Sequence, residues 1–320
     1  MRRLNNPATA NAATACRSYG RIIMSCRFIT GPLAVLAALT ICGCQSLQNP
    51  SEEVRHASYV RCQSLITGNN ETMKRQTYIV LSGGPQFRAT MDAKSGTVQW
   101  FADKKAFSIG LAVGVAPDGY LVTVAHALNT NTFVCGLFDG KMDLKPARVV
   151  FRQNSKTHAD FALIKTEGEL AHCSIVGERP RCGDRVLAVV CNRNNTHLAI
   201  DFAGGTILGI SRDPLGGPLD LIKTDVPLGH GDSGGPLLST GGELIGVNSG
   251  ISFTLGKHWS DSYYPDRELI QRLVEEDRSS GAPNKSTGAK AGGSHCVAIR
   301  GPQAARIAQF VRWHRAPINE

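Results

Sequence analysis

A serine set between glycines is the part of this 320-residue chain that most directly predicts chemistry. The string Gly-His-Gly-Asp-Ser-Gly-Gly-Pro-Leu occupies residues 229–237. Glycines around Ser233 favour a tight turn with an exposed hydroxyl, because glycine adopts backbone angles that a β-carbon resists. In such a turn the N–H groups of Gly231 and Ser233 can point at one spot, which suits the oxyanion formed when a hydroxyl attacks a carbonyl. The simpler alternative is a glycine-rich hairpin turn without chemistry.

A nucleophilic serine needs a base, and the base needs a group that orients it. His126 follows the apolar, strand-like run 121–125, and Asp160 stands just before a second apolar run at 161–164. The chain order His, Asp, Ser is one of the orders known for a catalytic triad. A single histidine beside apolar residues is more often structural, but here three signals agree in order and spacing. We therefore predict a triad of His126, Asp160 and Ser233.

Short apolar runs separated by turn residues indicate that the chain is built mainly of β-strands. The 34 glycines are spread among these runs and supply many of the turn signals. This spacing is typical of a barrel or a sandwich, and periodicity alone does not choose between them. The runs that predict strands are 78–81, 109–115, 121–125, 148–151, 161–165, 185–190, 206–210 and 244–247.

Together these motifs resemble the trypsin-like serine peptidases, and within them the bacterial high-temperature-requirement, or Deg-like, branch. The stretches that carry the resemblance are 116–121 before His126, 160–164, 223–225 before the serine motif and 245–248 after it. The resemblance implies an all-β, chymotrypsin-like fold. We thus expect two six-stranded antiparallel β-barrels with the active site in the cleft between them, and a C-terminal helix.

The resemblance also implies an activity, the hydrolysis of peptide bonds by acyl transfer to water. It implies that an extended substrate adds as a strand to the protein. The substrate-binding residues that it implies are His230, Asn248, Ser249, Gly250 and Ile251. Pro227 and Leu228 offer no acid to hold Lys or Arg, so we expect cleavage after small or aliphatic residues of extended or misfolded proteins. We expect no metal and no organic cofactor; the alternative function is a catalytically silent protein of this fold that binds extended polypeptide segments.

Two departures from the family modify these expectations. The Deg-like branch usually carries a C-terminal peptide-binding (PDZ) domain, but only 65 residues follow Leu255, and we expect that domain to be absent. Asp232 matches the acid that receives a freed N-terminal amine in trypsin-like zymogens. A new N-terminus at Ile79 fits that scheme poorly because Leu81 and Ser82 break the pattern. We therefore expect activity without such a cleavage.

The first 44 residues have the features of an export signal. Five arginines and no acid precede Glu52. The apolar run 29–41 is short for a membrane span and has the length of a signal-peptide core. It leads into Cys-Gly-Cys at 42–44, which resembles a bacterial lipobox with Cys44 as the lipidated residue. We favour a lipoprotein over an ordinary secretion signal or an uncleaved anchor, and all three place the domain outside the cytoplasm, in the periplasm or cell envelope.

One protease domain at 77–255 organises the expected layout of the chain. The flanking segments are a signal peptide and lipobox at 1–44, a linker at 45–76, a closing-helix region at 256–278, and a disordered linker with a basic tail at 279–320. The net charge of +9 comes from the two ends, because residues 1–43 hold five arginines and residues 281–320 hold six basic residues against one acid. This pattern does not indicate a nucleic-acid-binding face. The expected partners are polypeptide substrates and, through Cys44, a membrane.

Helical patterns and cysteines outside the motifs generate further expectations. Leu269, Ile270, Leu273 and Val274 share one helical face, which predicts a helix packed on the second barrel. Residues 302–314 suit a short amphipathic helix or an unstructured tail.

The cysteines beyond the leader are at 62, 135, 173, 182, 191 and 296. A local disulfide among the residues at 173, 182 and 191 and a set of buried free thiols are both compatible with this spacing.

Overall fold

The computed structural model describes the part of the chain in which the predicted strands and site residues fall. The described residues are 50–92, 97–101, 107–153, 160–193, 197–212, 219–254, 257–281, 295–300 and 310–314. Contacts divide the chain into Met1–Gln48 and Asn49–Glu320, and all described residues belong to the second unit. The predicted signal and lipobox, including Cys44, lie outside the described residues.

The described elements are mostly strands, with three α-helices. The helices are α1 (Glu52–Gln63), α2 (Asn70–Arg75) and α3 (Arg267–Ser279). The strands are β1 (Thr77–Gly83), β2 (Arg88–Asp92), β3 (Thr97–Phe101), β4 (Ser108–Ala116), β5 (Tyr120–Thr123), β6 (Asn131–Phe138), β7 (Lys141–Arg152), β8 (Ala162–Thr166), β9 (Arg185–Arg193), β10 (His197–Arg212), β11 (Asp220–Thr224), β12 (Pro236–Ser239), β13 (Leu244–Thr254), β14 (Lys257–Tyr263), β15 (His295–Arg300) and β16 (Phe310–His314). All eight predicted strands fall on these elements.

The first barrel is a closed ring of six antiparallel strands in the order β1-β4-β5-β8-β7-β6. Alternate residues along a strand point to opposite faces, and Tyr78 and Val80 of β1 accordingly pack in one cluster with Leu121 and Ile164. Ile79, which lies between them on β1, points to the opposite face and belongs to a different buried cluster. Because both faces of β1 pack against buried clusters, every residue of the strand is buried. This explains the apolar run at 78–81 that predicted the strand.

The second barrel also closes with six strands. The order β11-β14-β13-β12-β9-β10 becomes a ring through the pairing of β10 with β11. Val186, Ala188 and Val190 alternate along β9 into a cluster with Ile207 and Ile245. The all-β fold with two six-stranded barrels and a C-terminal helix is thus confirmed. Four further strands, β16-β15-β3-β2, extend the sheet beyond β10.

The segment expected to be a linker, 45–76, contains both α1 and α2 instead. Ser51 caps α1 by accepting a hydrogen bond from the Val54 N–H at 3.3 Å, which satisfies a donor that the first helical turn leaves open. The buried residues of α1 are Arg55, Ser58 and Cys62. These side chains and the ring of Tyr59, which stacks on Phe202, form the docking face of the helix. They do not make an apolar stripe, so hydrophobic periodicity gave no signal for the helix.

Strands also occupy part of the segment expected to be a disordered basic tail. The strand β15 pairs with β3, and β16 pairs with β15 and with β10. The amphipathic helix considered for 302–314 is wrong for Phe310–His314, which is a strand. The strands that pair with β15 and β16 lie far away in the sequence, so no local sequence pattern predicts these two strands. The tail residues 282–294, 301–309 and 315–320 are outside the described residues.

The helix α3 is anchored to the first barrel, whereas the sequence led us to expect the second. Asp277 accepts hydrogen bonds from the Tyr120 hydroxyl and from Arg148, each at 2.8 Å. Arg278 donates to both carboxylate oxygens of Asp118, at 2.6 and 3.0 Å. The polar contacts at the end of α3 therefore tie the C-terminal side of the domain back to β5, to β7 and to the connection between β4 and β5.

The cysteine side chains that the structure describes are free thiols, so the local disulfide is not formed. Cys62, Cys135, Cys173 and Cys191 are buried, and Cys182 is exposed. Burial raises the pKa of Cys135 and raises the pKa of Cys173 to about 12. Both therefore remain protonated and unreactive near neutral pH. Within the described ranges, no helix is long and apolar enough to cross a membrane.

Replacing Asp277 with alanine tests the anchoring of α3. Asp277→Ala removes the hydrogen bonds that Tyr120 and Arg148 donate to a carboxylate that is 8% exposed, and we expect a loss of about 2 kcal/mol in the free energy of unfolding. The hydrogen bond from Arg148 holds the pKa of Asp277 below its usual value. Its contribution is therefore present above about pH 4 and is lost as the pH falls through the lowered pKa.

Urea unfolding at pH 7 and at pH 3 measures both effects. Glu276→Ala, at an exposed position on the same helix, is the matched control and should change stability by less than about 0.5 kcal/mol. Equal stabilities for the two variants at pH 7 would contradict the anchoring by Asp277.

Candidate active site

Two connections of the first barrel bring His126 and Asp160 together. His126 lies in a short 3-10 helix, Ala125–Ala127, directly after β5, and Asp160 lies just before β8. The two strands are neighbours, with Thr123 opposite Ala162. Ala125 and Ala127 are buried, whereas the His126 side chain is 44% exposed and accessible to a substrate.

The Asp160 carboxylate holds His126 at two points. Its Oδ1 accepts the backbone N–H of His126 at 2.9 Å, and its Oδ2 is hydrogen-bonded to Nδ1 of the imidazole ring. This contact turns Nε2 away from the carboxylate. Burial alone would raise the pKa of Asp160, but hydrogen bonds from His126 and Ser249 outweigh it, and the pKa lies below its usual value. The carboxylate is therefore ionised and can stabilise a protonated imidazole.

Ser249 links this pair to the predicted nucleophile. Its hydroxyl donates to Asp160 Oδ2 at 2.6 Å, and its carbonyl oxygen accepts from the Ser233 hydroxyl at 3.4 Å. The Ser233 hydroxyl therefore points to Ser249 and not to His126 in this structure. Rotation about χ1 moves a serine hydroxyl between staggered positions and would turn it towards His126. A nucleophile and its base often tighten their contact only with substrate bound. Ser249 is a predicted substrate-binding residue, but its contact with Asp160 depends on the register of β13 and has no local signal in the sequence.

The turn that carries Ser233 is clamped between the two barrels. The Ser233 carbonyl accepts from the Leu111 N–H of β4 at 2.8 Å, and the Gly234 N–H donates to the Asn248 carbonyl of β13 at 2.7 Å. Gly234 has a positive φ of 85°, and a β-carbon there would collide with the Leu111 carbonyl oxygen. Glycine is therefore required at this position for both its backbone angle and its close approach.

The N–H groups predicted to form an oxyanion hole are available. Gly231 has a φ of 100°, in the left-handed region that favours glycine. Among the described residues, neither the Gly231 nor the Ser233 N–H donates a hydrogen bond to another group. Two such donors on one turn are what a developing oxyanion needs.

Between these two donors lies Asp232, whose side chain is buried. Its carboxylate accepts the backbone N–H groups of Cys191 and Gly229, each at 2.7 Å. It also forms an ion pair with the guanidinium of Arg55, at 2.7 Å. Arg55 is not among the predicted site residues, because it lies in the segment 45–76 that the sequence predicts to be a linker.

The predicted substrate-binding residues are not all equally placed to meet a substrate. Asn248 is buried and its Oδ1 accepts from the Ser262 hydroxyl at 2.9 Å, so this side chain serves the second barrel. Ser249 and Gly250 are partly exposed, as is Ile251 at 42%. Beyond Val247, β13 pairs with β14 on one side, and no described strand pairs with its other side. His230 is exposed on the turn that precedes Ser233.

Comparison with known proteins finds similarity over the part of the chain that carries the site. The model of the family described as "Trypsin-like peptidase domain" matches residues 110–247. A probable periplasmic serine endoprotease DegP-like from Halomonas elongata is 27% identical over 182 residues, which cover 56% of this chain and 37% of the relative. A protein of the same description from Chlamydia pneumoniae is 34% identical over 167 residues, covering 51% and 33%.

The serine endoprotease DegS of Escherichia coli is a further relative, 30% identical over 150 residues that cover 46% of this chain and 40% of DegS. The chain thus spans between a third and two fifths of the length of these relatives. The family match runs from β4 of the first barrel to β13 of the second and includes the serine turn. The chain is thus similar to the trypsin-like peptidases over residues 110–247 and to Deg-type serine endoproteases over about half of its length.

Proposed function

We propose that the chain is an exported serine endopeptidase that cuts peptide bonds with the triad His126, Asp160 and Ser233. The observation that carries the proposal is the shared Asp160 carboxylate. It holds His126 from the first barrel and accepts from Ser249, whose carbonyl in turn accepts from Ser233. This chain of contacts through Ser249 supports the proposal that the three residues act together.

The proposed reaction is acyl transfer through an ester on Ser233. Its Oγ attacks the carbonyl carbon while Nε2 of His126 takes the hydroxyl proton, and the N–H groups of Gly231 and Ser233 bind the oxyanion. The C–N bond then breaks, and His126 gives the proton to the leaving amine. Water attacks the ester with His126 again as base, which releases the acid product and restores Ser233. Throughout, Asp160 keeps Nδ1 protonated and the ring oriented.

The exposed side of β13 supports an extended peptide as substrate. A strand added along Ser249–Ile251 would lie next to the Ser233 turn and use backbone groups for affinity. Such binding requires a locally unfolded substrate, because a folded chain has its backbone groups already paired. The same edge would serve the second candidate, a catalytically silent protein that holds extended segments.

The residues before the serine turn support a preference for small or aliphatic side chains. Pro227 and Leu228 are buried and carry no charge with which to pair Lys or Arg. Ile251 projects an apolar side chain from the substrate edge. A pocket with no buried charge disfavours a charged side chain, since its desolvation is not compensated.

An extracytoplasmic location completes the proposal. It is supported by the signal-like composition of residues 1–44 and by relatives named periplasmic serine endoproteases. Within this location, the lipobox-like Cys-Gly-Cys at 42–44 supports lipidation of Cys44. Mass spectrometry of the mature N-terminus tests it, and a mature chain that starts elsewhere than Cys44 contradicts it.

Labelling by a fluorophosphonate probe tests for an assembled site. The mature protein should be labelled, Ser233→Ala should not react, and His126→Ala should be labelled about 10⁴-fold more slowly, because the hydroxyl then lacks its base. The controls Ser174→Ala and His172→Ala change exposed residues of the same types and should be labelled like the wild type. A folded wild-type protein that is not labelled would instead favour the silent binding protein.

Substitution of Ser249 tests how Asp160 is held. Ser249→Ala removes one hydrogen bond to the carboxylate and should lower kcat about tenfold, because the imidazolium is then less well oriented and stabilised. KM should change little, since the substrate strand would contact the backbone of Ser249 and not its hydroxyl. Ser249→Thr retains a hydroxyl and should keep most of the activity. An unchanged kcat in Ser249→Ala would contradict the role given to this contact.

Peptides that differ only in the residue before the cut bond test the preference. We expect kcat/KM for alanine and valine to exceed that for lysine and aspartate by about tenfold or more, because Pro227 and Leu228 supply no charge to pair with the substrate. Equal or faster cleavage after lysine, measured with the wild-type protein, would rule out the proposed pocket.

A further inference from the structure

The helix α1 docks on β10 of the second barrel through a small set of close contacts. The Ser58 hydroxyl accepts the Gly204 N–H at 3.1 Å, and the rings of Tyr59 and Phe202 stack with centroids 5.6 Å apart. A β-carbon at Gly204 would lie 2.7 Å from Cys62 Sγ and 2.7 Å from the Ser58 carbonyl oxygen. Glycine at this position therefore lets the helix approach the sheet closely.

From this docked helix, Arg55 reaches the interior beneath the serine turn. Arg55 and Asp232 are 3% and 1% exposed, and their Nη2 and Oδ2 atoms are 2.7 Å apart. Nη1 of the same guanidinium donates to the Cys191 carbonyl at 3.2 Å. The cation thus binds both the carboxylate and the strand β9, whose Cys191 N–H also donates to Asp232.

The position of Asp232 couples this ion pair to the reactive serine. The peptide group between Asp232 and Ser233 carries the Ser233 N–H, and the Gly231 N–H lies one residue before Asp232 on the same turn; these two N–H groups are the proposed oxyanion donors. A buried carboxylate that loses its cation must take up a proton or move towards water. Movement of Asp232 would rotate the adjoining peptide planes and turn the two donors away from a common point.

We propose that Arg55 is a positioning residue for catalysis, and that the docking of α1 on the second barrel holds the serine turn in its working conformation. The helix then supplies from within the chain the cation that Asp232 needs, and no freed N-terminal amine is required. This role rests on the proposed peptidase function.

The electrostatics of Asp232 agree with this role. Burial raises the pKa of Asp232 to about 6, and Arg55, the N–H groups of Cys191 and Gly229, and the nearby His230 all oppose the rise. With Arg55 in place the carboxylate is therefore ionised at neutral pH. Without Arg55 the largest opposing charge is lost and the pKa rises further, which favours a protonated side chain at the same pH.

Replacing Arg55 tests the proposal directly, with activity and hydrogen exchange as separate measurements. In Arg55→Ala we expect kcat for a peptide with alanine before the cut bond to fall about 100-fold, the effect of losing an oxyanion donor. Backbone exchange of the segment 229–237, followed by mass spectrometry, should become about tenfold faster as the turn opens. Arg61→Ala removes an exposed arginine from the same helix and should change neither value.

A second variant separates helix docking from the loss of the cation itself. Gly204→Val places side-chain atoms against Cys62 and Ser58 and should push α1 off the sheet without touching Asp232, with the same fall in kcat. Gly209→Val is its matched control, because a β-carbon at Gly209 of the same strand meets no atom within 4 Å. If Arg55→Ala does not fold, the comparison of Gly204→Val with Gly209→Val tests the role of α1 instead.

The two measurements distinguish failure of this proposal from failure of the proposed function. A folded Arg55→Ala or Gly204→Val protein with kcat and exchange like its control would overturn the role of α1. A wild-type protein without peptidase activity would overturn the proposed function, and faster exchange of 229–237 in Arg55→Ala would then still establish the positioning by Arg55.

Discussion

The carboxylate of Asp232 is the group on which the arrangement of this domain depends most. A charge removed from water must be satisfied by its surroundings, and here the partners come from three parts of the chain: Arg55 of α1, Cys191 of β9 and Gly229 of the serine turn. Satisfying this charge therefore fixes α1 on the second barrel and fixes the turn that presents Ser233.

The junction of the barrels imposes the second constraint. The Ser233 carbonyl is bonded to β4 of the first barrel, while the Gly234 N–H is bonded to β13 of the second. A further contact across the junction is the hydrogen bond that the Ser249 hydroxyl of the second barrel donates to Asp160 of the first. Each barrel thus contributes groups that the other needs, and the proposed catalytic residues meet only when the barrels pack correctly. Activity and the integrity of the interface should accordingly be lost together.

Local sequence patterns predicted the features that depend on local rules. The turn at Ser233 needs backbone angles that glycine favours, so its glycines predicted it. The eight strands are buried on one or both faces, so their apolar runs predicted them. The helix α1 was not, because it docks through Arg55, Ser58 and Cys62 and presents no apolar stripe. Strands β15 and β16 depend on partners far away in the chain, and the use of Asn248 within the barrel depends on the register of β13 with β14.

The central claim is that Gly231, Ser233 and His126 converge on one reacting carbonyl, and a crystal structure of the protein inactivated by a peptidyl phosphonate tests it most directly. We predict a bond from phosphorus to Ser233 Oγ, a phosphoryl oxygen about 2.7–3.1 Å from both the Gly231 and the Ser233 nitrogen, and the peptide paired with Ser249–Ile251. A phosphonate attached to another residue, or a phosphoryl oxygen that points to solvent, would contradict the account.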